Sequence, residues 1–380
     1  MSILGRYDNP AAPCVPSKRR IAQPLTFLLQ MGRPRPFRIP DSARFGPGAR
    51  SRLNGHVLET TDPTIAARAL RDGHLAALPT ETVYGLGARA DLPRAIARVY
   101  AAKGRPADHP LIVHVADAEA AWAWAAAAPD YARALADACW PGPLTLVLPR
   151  SARAGDFVTG GQDTVAVRVP AHPIMLMVLR ELATLLADPA VGIAAPSANR
   201  FGRVSPTTAA HVRAELGDAL TDDDVLLDGG ASAVGVESTI IDCTGAAPVL
   251  LRPGHVSADD VARTTGLAVG RHSTVRAPGT LASHYAPQAT VRIVDADELA
   301  AANGPRDATW GVLALAGVAT PEGLVRLSEP GDAEEYARVL YAALREADAL
   351  GLDTVLAVAP STDGIGAAVL DRLARASTRG

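Results

Sequence analysis

The sequence predicts an α/β protein in two units: a large sheet covered by helices, then a linker, then a smaller α/β domain. Three observations carry this. Short apolar runs alternate with Ala/Leu-rich helical segments along most of the 380 residues, the order expected of a sheet flanked by helices. Several helical segments are bounded by N-cap residues or C-terminal glycines. Between about Thr264 and Thr290 the pattern lapses into Gly270, Pro278, Gly279 and Pro287, a linker composition, and then resumes. The length itself suits two or three domains.

The elements follow in order. Residues 1–55 carry ten basic groups against Asp8 and Asp41, a net +8, and the rest of the chain carries −11. This opening is proline-rich and has no sustained period, so it reads as a disordered, basic Pro/Arg-rich arm. Its one apolar run, Leu25 to Leu29, is too short for a signal-peptide core or a membrane span. Met31 is an internal candidate start, and an extension from a mis-assigned start is the expectation. A nucleic-acid-attracting tail and an organellar presequence are the alternatives.

Order begins near His56. Asp62-Pro63 starts a helix that runs to about Arg71 and stops at Gly73. His74–Leu78 is a buried strand, and a helix from about Leu92 to Ala102 ends at Gly104. Strands are expected at Leu111–Val115, Leu144–Leu148, Val165–Val169 and Val191–Ala195. The first domain thus covers 56–263, the linker 264–290 and the second domain 291–380. In the latter, Val291–Val294, Thr309–Leu315 and Thr354–Ala359 read as strands and Asp295 caps a short helix. A helix from about Ala333 to Leu350 aligns Tyr336, Val339, Leu340, Ala343, Leu344 and Ala347, and Ala367–Ala376 closes the chain as a helix.

Composition excludes several classes. Apolar residues at 48% and charged residues at 20% describe an ordinary globular chain with a real core. Aromatics at 4% argue against stacking platforms for single-stranded nucleic acid. Cys14, Cys139 and Cys243 are far apart, so neither a disulfide framework nor a zinc site is supported, and no metal ligands stand out. A reducing cytoplasm fits.

Lys103 is the only lysine after Lys18; the other basic residues are arginines. It sits two residues from Arg105 on a Gly/Pro-shaped turn, where a compact ammonium and a planar fork together can hold an oxyanion or phosphate. The alternative is a lysine spared by chance in a chain whose codons favour arginine. Four further segments place polar groups where burial or a tight turn is expected. Pro79-Thr80-Glu81-Thr82-Val83-Tyr84-Gly85-Leu86-Gly87 follows a strand, the end at which α/β sheets bind ligands, or it is a turn with a threonine cap. In Thr164–Pro170, alternation puts Thr164, Ala166 and Arg168 on one face. Arg168 is then either a bidentate carboxylate receptor or part of the solvated face of an edge strand. Pro196-Ser197-Ala198-Asn199 is either a phosphate-binding loop or a simple turn, and Ser205-Pro206-Thr207 caps the next helix. Glu237-Ser238-Thr239 leads polar residues into an apolar strand, and Arg252 precedes Pro-Gly much as Arg105 follows Lys-Gly. His114, within Leu-Ile-Val-His-Val, is either a general base or a satisfied core group. The Gly-x4-Gly-Lys-Ser/Thr, dinucleotide Gly-x-Gly-x-x-Gly and Gly-x-Ser-x-Gly patterns are absent.

Together these segments resemble the YrdC-like domain of L-threonylcarbamoyladenylate synthases. The residues that carry the resemblance are Pro79–Gly87, Lys103-Gly104-Arg105-Pro106, Pro110–His114, Trp140-Pro141-Gly142-Pro143-Leu144-Thr145, Pro196–Asn199, Glu237–Ile240 and Leu251-Arg252-Pro253-Gly254. Ala277-Pro278-Gly279 with His284-Tyr285-Ala286-Pro287 is similar to the linker of the long, two-domain form, and Asp363–Gly366 with Asp371-Arg372-Leu373 to its end.

The resemblance implies a twisted open mixed sheet with a wide basic cavity, joined to a small Rossmann-like domain. It implies condensation of L-threonine, bicarbonate and ATP into threonylcarbamoyl-AMP with release of pyrophosphate. The product would feed N6-threonylcarbamoyladenosine formation in tRNA, through transfer proteins downstream. Lys103 and Arg105 would form the catalytic cationic cluster. Arg105, Thr164, Ser197, Asn199, Ser205 and Arg252 would contact the nucleotide. His109 stands where the family often has asparagine and can still donate a hydrogen bond there. Thr80, His114, Arg168 and Ser238 would line the threonine pocket, and Tyr285 would reach over the cavity as part of a lid. Mg²⁺ would travel with the ATP phosphates. Two other readings remain. One is an RNA-binding or ribosome-associated module, against which the acidic balance of residues 56–380 and the scarce aromatics count. The other is carbamoyl transfer to a different acceptor, against which the absence of zinc-finger cysteines counts.

Overall fold

The computed structural model describes residues 51–52, 57–279, 284–302 and 309–378. The basic arm lies outside them apart from Ser51–Arg52, which forms β1 and pairs antiparallel with β2 (Leu58–Thr60). Helix α1 (Pro63–Asp72) starts as its sequence dictates: Asp62 Oδ1 accepts the Thr64 amide at 2.8 Å, and Gly73 closes the helix at φ +88°. A short strand β3 (Ala76–Leu78) leads through the Thr80–Thr82 turn into β4 (Gly85–Arg89). Helix α2 (Pro93–Lys103) ends at Gly104, φ +63°, so Lys103 is its last residue and Arg105 lies beyond the turn.

Then come β5 (Ile112–His114), α3 (Ala118–Trp124), α4 (Asp130–Cys139), β6 (Leu144–Pro149), α5 (Asp156–Thr159) and β7 (Thr164–Arg168). Helix α6 (Pro173–Leu186) precedes β8, which is only Ile193–Ala194 and runs into the Pro196–Asn199 loop. The first domain finishes with α7 (Ala209–Leu216), β9 (Val225–Leu227), β10 (Thr239–Asp242), β11 (Val249–Arg252) and α8 (Ala258–Thr265). From Leu267 to Ala289 the described residues form neither helix nor strand.

The second domain holds β12 (Thr290–Ile293), α9 (Ala296–Ala300), β13 (Trp310–Leu313), β14 (Val325–Ser328), α10 (Ala333–Ala349), β15 (Thr354–Ala357) and α11 (Gly366–Ser377). Its four strands run parallel in the order β12-β15-β13-β14. Strand β14 is the one described element of this domain that the sequence did not announce. Val-Arg-Leu-Ser is short and half polar, and it reaches strand geometry by pairing at the sheet edge.

The large sheet has eleven strands in the order β1-β2-β9-β3-β4-β8-β5-β7-β6-β10-β11, with both parallel and antiparallel pairs. Strand β7 lies between β5 and β6, so Arg168 is not on a solvated edge. One face of the sheet packs on Ile96, Trp124 and Leu135, and the other on α1 and α6 through Leu70, Met175 and Leu182. On α10, Tyr341 is buried with Tyr336, Leu340 and Leu344, while Val339 is only half-buried. No described helix is long and apolar enough to cross a membrane.

Register brings the cavity residues together. His114 lies opposite Arg168, Thr239 opposite Leu144, Ile240 opposite Arg252, and Gly85 bridges to Ser197. Val83, Val204, Val236 and Tyr285 from the cavity side share one apolar cluster with Tyr336, Leu340, Tyr341 and Leu373. The second domain therefore backs the cavity wall.

Asp224 ties β3 to the turn before β9. Its carboxylate accepts Leu75 N (2.8 Å), Arg98 Nη2 (2.6 Å) and Thr221 N (2.8 Å), and the residue is fully buried. Asp224→Ala should lose about 3 kcal/mol or more in urea denaturation, since charge-assisted hydrogen bonds are each worth about 1.5–3 kcal/mol. A loss below about 1 kcal/mol would show that the turn holds without it.

Candidate active site

One cleft enclosing about 650 Å³, counting the space at its open mouth, gathers most of the predicted residues. Lys103, Arg105, Thr80, His114, Arg168, Ser197, Asn199, Ser238, Arg252 and Tyr285 all line it. His109, Thr164 and Ser205 do not.

The cations are held differently. Lys103 Nζ donates to Ser197 O at 2.6 Å and Asn199 O at 2.5 Å, tying the end of α2 to the Pro196–Asn199 loop. Burial, then the neighbouring Arg105, lower its pKa well below the ordinary lysine value. Arg105 donates to Pro110 O at 3.0 Å, lies 5.6 Å from the Phe201 ring centroid and leaves its Nε without a partner among the described residues. Burial lowers its pKa to about 10, which leaves it cationic at neutral pH. Arg168 is engaged on all three nitrogens, by Gly142 O (3.2 Å), Thr82 Oγ1 (3.0 Å) and Glu81 Oε1 (2.6 Å). Those bonds use three of a guanidinium's five donors and leave two. Arg252 donates to Ser238 O from Nε (3.1 Å) and Nη2 (2.9 Å), and to Pro278 O from Nη1 (3.0 Å).

The hydroxyls form chains. Thr80 Oγ1 donates to Val83 O at 2.6 Å, so at 2.8 Å it must accept from Thr82, which in turn accepts from Arg168. Ser238 Oγ pairs with Thr145 Oγ1 at 2.8 Å. His114 is buried, and burial and then Arg168 push its pKa down to about 3, so its ring is neutral. Asn199 donates from Nδ2 to Arg200 O (2.7 Å) and Arg203 O (2.8 Å). Around the cleft, Arg105 Nε, His114 Nδ1, Asn199 Oδ1, His284 Nδ1 and Tyr285 OH are buried with no hydrogen-bond partner among the described residues. Native interiors rarely leave such atoms unpaired, so this set marks a wall built for a polar ligand.

Three expected residues stand apart for clear reasons. Thr164 begins β7, four residues from Arg168 and so about 13 Å along the strand. Ser205 is fully buried and gives its hydroxyl to Glu237 Oε1 at 2.6 Å. His109 sits at the rim with its ring edge-on to Phe201 at 5.3 Å; burial, then Arg105, lower its pKa.

The sequence reading passed over Glu81, Thr82, Phe201, Glu237 and His284. Glu81 and Thr82 lay inside a quoted motif, and their signal was two polar neighbours beside a predicted pocket residue. Phe201 carried none. Glu237 is the lone carboxylate among the described residues of the lining. Burial alone would raise its pKa, but Arg372 and Arg252 outweigh that and hold it at about 2. Among the described residues no group of three His, Cys, Asp or Glu could hold a metal.

Comparison with known proteins identifies the family. A family model described as "Telomere recombination" matches residues 68–254, and one described as "Threonylcarbamoyl-AMP synthase, C-terminal domain" matches residues 249–378. The threonylcarbamoyl-AMP synthase of Pyrococcus abyssi is 42% identical over 330 residues, covering 82% of this chain and 93% of the relative. That of Bacillus subtilis is 37% identical, covering 84% and 94%, and that of Schizosaccharomyces pombe 33%, covering 82% and 87%. The crystal structure of P. abyssi Sua5 complexed with L-threonine is similar at a TM-score of 0.71 and 41% identity, covering 83% of this chain and 94% of that one. With both domains matched and the identity sustained over most of its length, the chain belongs to the threonylcarbamoyl-AMP synthase family, in its two-domain Sua5 form.

Proposed function

We propose that this enzyme makes L-threonylcarbamoyl-AMP from L-threonine, bicarbonate and ATP and releases pyrophosphate. The observation that carries the reading is the convergence of Lys103, Arg105, Arg168 and Arg252 on one cleft whose single lining carboxylate is spent on other partners. Such a wall suits spreading negative charge. It does not suit a nucleic-acid surface, because these cations are buried rather than displayed.

On this reading the threonine nitrogen adds to the carbon of bicarbonate, losing water and a proton, to give a carbamate. A carbamate oxygen then attacks the α-phosphorus of ATP, and the bond to the β-phosphate oxygen breaks with pyrophosphate as leaving group. No side chain need form a covalent bond; positioning and charge stabilisation suffice. The two spare donors of Arg168 fit the threonine carboxylate, with Thr80, His114 and Ser238 around it. Arg105, with its unpaired Nε, and Asn199 Oδ1 face the nucleotide with Ser197 and Arg252. His109 and Tyr285 close the rim. Ser205 acts through Glu237 instead, and Thr164 stands outside the cleft lining, at the end of β7 away from Arg168. Mg²⁺, bound to ATP, supplies charge neutralisation at the phosphates. The side chains here fit only that indirect mode, since Glu237 is taken by Ser205, Tyr341 and Arg372, and one oxygen of Glu81 by Arg168. The reading implies a cytoplasmic enzyme that passes a reactive mixed anhydride to tRNA-modifying transfer proteins.

Purified protein should release pyrophosphate from ATP only when threonine and bicarbonate are both present, with serine a much poorer substrate. Release independent of threonine would end the reading. Lys103→Ala should lower the threonine-dependent rate about 100- to 1,000-fold, the usual worth of a preorganised electrostatic group. Lys103→Arg should not restore it, because a planar fork cannot replace a point charge between two carbonyls. Arg168→Lys should raise the KM for threonine about tenfold or more while leaving that for ATP nearly unchanged. Steady-state kinetics check both.

A further inference from the structure

One buried ionic cluster has no part in the chemistry above: Glu237 of the first domain with Arg372 and Tyr341 of the second. Glu237 Oε2 accepts Arg372 Nε at 2.8 Å and Tyr341 OH at 2.9 Å. Arg372 is fully buried, and its Nη2 also donates to Pro253 O at 3.0 Å. Glu237 directly precedes Ser238, and Pro253 directly follows Arg252. One guanidinium on α11 thus grips both neighbours of the Ser238–Arg252 pair from behind the cavity wall.

We propose that Arg372 is a positioning residue, which fixes Ser238 and Arg252 in the active site from the second domain. The β10–β11 ladder does not fix them alone, because Ser238 lies one residue before β10 and the register shifts between Ile240 and Ile241, opposite Arg252. An ion pair that merely docked the domains would need only Glu237. The second contact, to a backbone oxygen beside Arg252, is what makes the grip positional. The same guanidinium lies 5.2 Å from the Tyr285 ring centroid, and that ring stacks on Tyr341 at 5.7 Å, so the cavity-closing tyrosine is set by the same domain. The identity of the ligand that Arg252 meets rests on the function proposed above; the positioning itself does not.

The test is Arg372→Lys in the full chain. Lysine keeps a charge beside Glu237 but cannot span to Pro253 O with a second donor. The expected result is a KM for ATP raised about tenfold at a near wild-type melting temperature. Amide hydrogen exchange should quicken at Ser238–Ile240 and Leu251–Arg252, with the interior of α10 unchanged. A folded variant with the wild-type KM and wild-type exchange at those amides would reduce Arg372 to a docking contact and overturn the proposal. If Arg372→Lys does not fold, the double variant Arg372→Met, Glu237→Gln removes both charges of the pair together and is read by the same two outcomes. Exchange is measured without substrates. A wild-type chain that released no pyrophosphate would therefore end the functional reading, and the exchange data would still decide what holds Arg252.

Discussion

Bringing four cations to the wall of one cleft is the constraint that shapes this enzyme. A charge buried alone costs several kcal/mol, and a charge-assisted hydrogen bond returns about 1.5–3 kcal/mol, so each cation needs roughly two or three partners. Most partners here are backbone carbonyls: Ser197 and Asn199 for Lys103, Pro110 for Arg105, Gly142 for Arg168, Ser238 and Pro278 for Arg252. Carbonyls are free to turn inward only where the chain leaves its ladders. That is why the motifs carrying the family resemblance are rich in proline and glycine. The Gly/Pro turns are the compensation for the charge.

The compensation is uneven, and the unevenness separates the roles. Arg168 and Arg252 are engaged on every nitrogen, whereas Arg105 has one carbonyl and an aromatic face. A cation–π contact at a desolvated site adds about 2 kcal/mol, less than a second full partner would. Arg105 is therefore the cation with most to gain from an anionic ligand. Lys103 is the opposite case. Its ammonium lies between two carbonyls of one loop and donates to both. The chance survival of a single lysine in an arginine-rich chain is thus the weaker of the two explanations raised by its sequence. Each of the arginines can be put down to composition; this lysine cannot.

Local signals were legible and depth was not. Asp62-Pro63 with Gly73, and Gly104 after α2, announced their helices because caps are chemistry of adjacent residues. Alternation put Arg168 and Thr164 on one face, but a face extends the length of a strand, and nothing local says which end meets the ligand. Ser205 misled for a related reason. The family resemblance sets its hydroxyl toward the nucleotide, and no local pattern shows that Glu237, 32 positions on, takes it. Tyr341 fell outside the predicted stripe because its partners, Glu237 and Tyr285, come from outside its own domain. Contacts that cross 104 and 135 positions leave no periodicity to read.

Those same long contacts explain why two domains of unequal size behave as one active site. Val83, Val204 and Val236 each neighbour a cleft-lining or cleft-supporting residue, and all three pack into the core of the second domain. Tyr285 joins them with a left-handed backbone, φ +63°, a conformation costly for a bulky residue and held only where surrounding packing demands it. The ring lies 5.2 Å from the Arg372 guanidinium and stacks on Tyr341 at 5.7 Å, so contacts from the second domain help to hold the left-handed backbone at position 285. A core shared across the boundary cannot be loosened on one side only. The wall of the cleft and the docking of the small domain therefore form a single cooperative unit, and damage to either should register in both.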